Sequence, residues 1–255
     1  MPGGEPAGGV RLTVPGRYNG PADSAQGGMA CGMLAALAEE HLGPRVAVTL
    51  HAPPPLDTPM ELRPAGRRYG LYDGDRLVAL AGAVARELAP PPEPVAPEAA
   101  RACAEHFTGE DGHPFPDCFV CGPRRADGLR LRPGPVPGRP GTVACPWRPG
   151  PDDSGRVPPA LVWAALDCPG GWADDPVHRP MVLHRMAARV EQLPCPGREY
   201  VLTGRVVRRD GRTTENVTAL YDAAGALLAR AAATWIAVGP PTGTLAETAV
   251  EGTPA

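Results

Sequence analysis

Between Met29 and Leu42 almost every position is apolar until Glu39, Glu40 and His41, and a helix that is apolar on all its faces is a buried one. The segment it belongs to, residues 24–44 ("SAQGGMACGMLAALAEEHLGP"), is stopped by Gly43-Pro44. Gly32 in its interior gives up about 1 kcal/mol of helix propensity relative to alanine, which is tolerable where another backbone or a ligand must come close. A second apolar helix is predicted from Pro159 to Asp167, with proline in a favourable first-turn position and "CPGG" as its break. After each helix come stretches that read as strands, bounded by Gly, Pro and Asp-Gly turns. The first set is "RVAVTLHA" (45–52), "PMELR" (59–63) and "LYDGDRLVALAGAVARE" (71–87); the second is "MVLHRMAARVEQL" (181–193), "REYVLTGRVVRRDGRTTENVTA" (198–219) and "LYDAAGALLARAAATWIAV" (220–238). With no further long helix to make parallel crossovers, the pattern predicts an α+β fold: one buried helix wrapped by an antiparallel sheet, twice over.

The two halves repeat one order, apolar helix, strands, then a Leu-Tyr-Asp turn and a long apolar strand, which reads as an internal duplication. The helix-opening serines Ser24 and Ser154 lie 130 residues apart and the Leu-Tyr-Asp turns at Leu71 and Leu220 lie 149 apart, so the second copy carries 19 extra residues between helix and turn. Between the copies, "APPPEPVAPEAA" (89–100) is too proline-rich for helix or strand and reads as a semi-extended linker. The expected organisation is one unit over residues 10–88, a linker over 89–112 and a second unit over 113–238. Residues 1–9 and 240–255 are expected to be loose tails.

Composition narrows the partners. All 25 basic residues are Arg, the formal net charge is -3, and no basic run exceeds a pair, so neither nucleic acid nor an anionic membrane surface is an expected partner. The apolar residues are mostly Ala, Val and Leu, with only three Phe, five Tyr and four Trp; such a lining suits an acyl chain better than a stacked base. No run approaches a membrane span, and "MPGGEPAGGV" lacks the features of a signal peptide, so a cytoplasmic location is expected. Seven cysteines, an odd number without an export signal, read as thiols rather than a disulfide framework.

The stretch "HPFPDCFVCGP" (113–123) offers His113, Cys118 and Cys121, three of the four ligands a structural zinc site wants; Cys103 or Cys168 would have to fold over to complete it. No βαβ pattern surrounds the Cys pair, which argues against a thioredoxin-like function. The reading adopted is that Cys118 and Cys121 are reduced, metal-free packing and turn residues leading into a strand at Leu129–Arg132. No metal and no cofactor is expected.

"CFVCGPRRADGLRLRP" (118–133) resembles the cysteine-glycine segment and Gly-Leu strand ahead of the first strand in single-hotdog thioesterases related to the phenylacetate-degradation enzymes, and helix-in-sheet architecture twice over resembles the double-hotdog acyl-CoA thioesterases of the same hotdog-fold thioesterase superfamily, over roughly residues 10–88 and 113–238. The resemblance implies two hotdog domains in one chain, packed as an intramolecular pseudo-dimer with their sheets edge to edge. It also implies an acyl-CoA or acyl-carrier thioester as substrate, and pseudo-dimers that can assemble further into a homo-oligomer. The chain departs from the family where many members carry His-Gly-Gly at the helix entrance: Gln26-Gly27-Gly28 stands in the first half and Val157-Pro158-Pro159 in the second. The acid common later in that helix occurs only in the second copy, as Asp167, where the first has Ala36, Leu37 and Ala38.

A thioester hydrolase needs donors for the developing oxyanion and a carboxylate to attack or to activate water. Gly27 and Gly28 offer free first-turn amides or are simply a Gly-rich helix start, and Asp167, close to the end of an apolar helix, is either a working carboxylate or a hydrogen-bonding partner of the following Gly170-Gly171 turn. Gln26, Ser24 and Asn19 are candidates for orienting water or substrate, each with a plain reading as a turn or helix cap beside it. Arg124, Arg125 and Arg130 read as a solvated face. No Gly-x-Ser-x-Gly elbow is present, and none of the six histidines sits at a helix entrance in the sequence. Two readings stay open: a thioester hydrolase working through Asp167, and a non-catalytic double hotdog that binds an acyl or polyketide-like ligand.

Overall fold

The computed structural model describes residues 10–239; the expected loose tails at 1–9 and 240–255 lie outside the described residues. The strands are β1 (Arg11–Leu12), β2 (Val46–Leu50), β3 (Met60–Ala65), β4 (Arg68–Asp73), β5 (Arg76–Ala83), β6 (Gly134–Pro135), β7 (Thr142–Trp147), β8 (Met181–Val190), β9 (Tyr200–Asp210), β10 (Thr213–Tyr221) and β11 (Leu227–Ala237). The helices are α1 (Gly27–Leu42), α2 (Pro97–Ala104) and α3 (Pro159–Trp172). All eleven strands form one sheet in the order β1-β3-β4-β5-β2-β8-β11-β10-β9-β7-β6, and every pairing between them is antiparallel. The expected α+β class with an antiparallel sheet is what the chain forms. Among the described residues no helix is long and apolar enough to cross a membrane.

The sheet's midline is the β2–β8 pairing, with Ala47 opposite Ala187, Val48 opposite Met186 and Thr49 opposite Arg185. Val48 and Met186 are fully buried there. The strands of the first half lie around α1 and those of the second around α3, and the two helices pack on each other across the middle of the molecule. Helix α1 ends where the sequence pattern puts its end, with Gly43 at φ +78° donating its amide to the Glu39 carbonyl, a backbone position that a residue with a Cβ adopts at a cost.

Three sequence expectations are corrected. Helix α3 does not break at "CPGG" but runs through Pro169, Gly170 and Gly171 to Trp172. Packing overrides propensity here: Pro169 and both glycines are buried, Gly170 against Asn216 and Gly171 against the Trp235 ring, and the Pro169 carbonyl sits against Gly204 of β9. The proline-rich stretch is not extended throughout, since its last four residues open α2, with Pro97 in the first turn, where its missing N–H is no loss. Ala100 and Cys103 of α2 close a small satellite core with Ala144 and Val201. Residues 129–132 form no strand: Leu129 and Leu131 donate to the carbonyls of Phe119 and Val120, and Arg130 between them sits at φ +53°. Their amides are used up on the cysteine loop rather than on the sheet.

Candidate active site

The two helices meet at small residues. A Cβ on Gly28 would stand 2.5 Å from the Asp167 Cβ and 2.8 Å from the Trp163 carbonyl oxygen; one on Gly32 would stand 2.7 Å from the Trp163 Cβ and 2.8 Å from the Ala160 Cα. The glycines therefore let α1 settle directly on α3, and that contact places the first turn of α1 against the Asp167 carboxyl.

Gln26 caps α1: its side-chain Oε1 accepts from the Met29 amide at 2.7 Å. Its other end, Nε2, donates to Asp167 Oδ2 at 2.6 Å. The Gly28 amide donates to the same oxygen at 2.8 Å. Asp167 is 2% exposed and Gln26 likewise, so both side chains are almost wholly withdrawn from bulk solvent. The second carboxyl oxygen, Oδ1, is buried without a hydrogen-bond partner. Burial pushes the Asp167 carboxyl up to about 8; the Gly28 amide and the Gln26 amide pull against that shift, while Cys118 adds to it.

Asp167, Gln26, Gly27 and Ser24 all line one cavity of about 260 Å³, closed elsewhere mainly by apolar groups such as Leu50, Phe115, Trp172, Leu183 and Trp235. This lies near the lower end of small-molecule sites. Of the sequence candidates, the structure thus brings Gln26, Gly27, Gly28, Ser24 and Asp167 together. Gly28, however, spends its amide on Asp167, so of the glycine pair only Gly27 keeps an amide engaged by neither the carboxyl nor the cap. Asn19 is turned away: its Nδ2 donates to the Asp117 carbonyl at 3.0 Å and its Oδ1 accepts from Arg125. Its own carbonyl receives the Phe119 amide. Asn19 therefore ties the segment before α1 to the cysteine loop. Arg125 is held by the Arg17 carbonyl and by Asp127 as well.

Sequence reasoning did not place three histidines, His51, His113 and His184, on the cavity wall, and singled out only His113, as a metal-ligand candidate. His51 follows β2 and His184 lies in β8, and only the midline pairing of those strands brings them to one mouth; nothing in the order of residues signals it. Sequence reasoning named Cys168 only as a residue that would have to fold over to complete a metal site. This residue, next to Asp167 on α3, turns toward Cys118 and Cys121 so that the three sulfurs lie within 4.8 Å of one another. Cys118 is the readiest of them to ionise, because the neighbouring Cys121 and Cys168 thiols favour its thiolate and are themselves pushed up in consequence. Cys103 stays in the satellite core under α2.

No family model and no curated protein matches this sequence. Its fold does match solved structures over nearly its whole length. A thioesterase structure from Novosphingobium aromaticivorans is 18% identical, with a TM-score of 0.62 over 90% of this chain and 95% of that one. The tesB protein of Mycobacterium avium subs paratuberculosis is 17% identical, with a TM-score of 0.57 over 92% and 96%. A hot dog fold protein from Alicyclobacillus acidocaldarius is 17% identical, with a TM-score of 0.54 over 90% and 93%. What this chain shares with these thioesterase and hot dog structures, over about nine-tenths of its length, is the hotdog fold.

Proposed function

We propose that the chain hydrolyses an acyl-CoA or acyl-carrier thioester, in a molecule built as two hotdog units, residues 10–88 and 113–238, joined by residues 89–112 into an intramolecular pseudo-dimer. The repeated order of helix and strands and the single β2–β8 seam support the two-unit reading. The observation that carries the catalytic reading is the Asp167 carboxyl: one oxygen is pinned by two N–H donors while the other is buried, unpartnered and on the wall of a mostly apolar cavity.

In this reading the acyl group occupies the cavity with its carbonyl oxygen toward the Gly27 amide, at the positive end of the α1 dipole. Asp167 Oδ1 accepts a proton from a water as that water adds to the carbonyl carbon. Collapse of the tetrahedral adduct breaks the C–S bond, and the proton passes from Asp167 to the departing thiolate, leaving acid, thiol and the starting carboxylate. Gln26 is a positioning residue, since its amide holds both the helix start and the carboxyl. A carboxyl held near 8 by burial is a stronger base than a solvated one and is still partly ionised at neutral pH.

A second reading is kept because one observation favours it: the Gly28 amide is occupied by Asp167 rather than free for an oxyanion. In that reading the protein binds an acyl or polyketide-like ligand without turning it over. Incubation with acyl-CoAs of graded chain length, with free thiol followed by a colorimetric reagent, separates the two. Catalytic release of thiol supports hydrolysis; saturable acyl-CoA binding with no thiol released above the spontaneous rate supports the second reading and overturns the first.

A further inference from the structure

The hydrolytic proposal leaves three buried thiols unused. Cys118, Cys121 and Cys168 are 5%, 5% and 4% exposed and carry no disulfide. Their sulfurs lie within 4.8 Å of one another, and thiolates at the usual zinc–sulfur distance in a tetrahedral site lie about 3.8 Å apart, so a small contraction of the trio brings it to that geometry.

The surroundings suit thiolates. The loop closes as a tight knuckle: Cys118 donates its amide to the Phe115 carbonyl at 2.9 Å and Gly122 donates to the Cys118 carbonyl at 2.8 Å. A Cβ on Gly122 would stand 2.5 Å from the Cys118 nitrogen and 2.5 Å from the Pro116 oxygen, so the turn closes over a residue with no side chain. Gln26 Nε2 lies 3.7 Å from the Cys168 sulfur. The Cys168 sulfur thus faces a nitrogen donor, whereas a cysteine buried merely as a small hydrophobe asks for none.

His113 lines the same cavity with its Nε2 buried and unpaired. Its Nδ1 accepts the Phe115 amide at 3.0 Å, which puts the ring proton on Nε2 and makes that nitrogen a donor rather than a ligand. The fourth position of a tetrahedral ion held by the three sulfurs therefore falls to a water or to a ligand group on the cavity side.

We propose that Cys118, Cys121 and Cys168 bind one zinc ion through three thiolates, fastening the cysteine loop to α3 beside Asp167. Binding forms three Zn–S bonds and releases the thiol protons to solvent, with no change of oxidation state. The ion would fix the loop-to-helix wall of the cavity one residue from the candidate base. This departs from the sequence reading of Cys118 and Cys121 as metal-free turn residues, and the reason is Cys168, which no spacing rule pairs with a Cys-x-x-Cys 47 residues upstream.

The test is a metal titration that does not involve hydrolysis, so its outcome is independent of the thioesterase reading. The reduced, chelator-treated full-length protein is titrated anaerobically with Co²⁺ and then with Zn²⁺. The expected result is a thiolate-to-cobalt charge-transfer band that saturates at one equivalent and is bleached by zinc, which binds such sites more tightly. Cys118→Ser, Cys121→Ser and Cys168→Ser each lose the saturable band, and Cys195→Ser, at the exposed thiol, keeps it. Should a serine variant fail to fold, the wild type decides: zinc must raise its melting temperature in a concentration-dependent way. A wild type with no band and no zinc-dependent rise, or a folded Cys168→Ser protein whose band is unchanged, overturns the proposal.

Discussion

Gly28→Ala asks whether the close approach of α1 to α3 is what builds the site. The new Cβ would lie 2.5 Å from the Asp167 Cβ, 2.8 Å from the Trp163 carbonyl oxygen and 3.1 Å from the Ala164 Cα. These neighbours are backbone or first side-chain atoms, so none can swing aside, and the helices must separate. Overpacking of this kind costs about 1–3 kcal/mol, and the first-turn position of Gly28 limits what alanine recovers from helix propensity, so the upper half of that range, about 2–3 kcal/mol, is expected. At about 2–4 °C per kcal/mol for a domain of this size, the melting temperature should fall by about 4–12 °C. Gly32→Ala meets equally fixed atoms, the Trp163 Cβ at 2.7 Å and the Ala160 Cα at 2.8 Å, but regains up to about 1 kcal/mol of propensity and should fall by less. Gly150→Ala is the control, since its Cβ would meet nothing within 4 Å; its melting temperature should hold or rise slightly. Calorimetry of the three variants reads the order directly. A Gly28→Ala protein that melts at or above the wild-type temperature would show that the helices do not meet as described.

Three further outcomes follow. Met186→Ala at the β2–β8 midline, where Met186 is fully buried opposite Val48, should cost about 2–5 kcal/mol and lower the melting temperature by about 4–20 °C; a fall under about 2 °C would mean that the seam carries little of the core. Gly134→Ala places its Cβ on the Cys103 carbonyl of α2 and should release that helix, read as new proteolytic cleavage between residues 89 and 112 while the rest stays intact. Brief alkylation of the native protein should modify Cys195 alone, because the other six cysteines are buried; mass spectrometry showing early label on Cys118 or Cys121 would contradict the packing of the knuckle.

The parts of the fold that the sequence made legible are those set by local chemistry. Met29 to Ala38 is apolar on nearly every face and the run ends in Gly43-Pro44; α1 stops there, buried from Gly28 to Gly32 and at Leu34, Ala35 and Ala38, and exposed at Ala36, Glu39, Glu40 and His41. The Asp-Gly turn at Asp73-Gly74 separates β4 from β5 as its residue types demand. What the sequence hid depends on contacts between distant residues. Pro169-Gly170-Gly171 reads as a helix break and remains helical only because Asn216, Trp235 and Gly204 close around it. Residues 97–104 look like linker until β7 and β9 give Ala100 and Cys103 a surface to cover. At the site, Gln26, the glycine pair and Asp167 were visible as residue types out of keeping with apolar helices, but that Gln26 and Gly28 both donate to Asp167 was not, since 141 and 139 residues separate them. Asn19 shows the converse: a polar residue near a helix start, it serves the loop at Asp117 instead.

The most direct test of the central claim is the turnover of Asp167→Asn on whichever acyl-CoA the wild type hydrolyses fastest. The asparagine oxygen can take the place of Oδ2 and keep both the Gln26 and Gly28 hydrogen bonds. Its amide falls where Oδ1 had no partner, so the variant should fold and melt at or above the wild-type temperature. It cannot take a proton from water, and kcat should fall by about 10²-fold or more with the melting curve preserved. A folded Asp167→Asn protein that retains wild-type kcat would make Asp167 a structural residue and contradict the account.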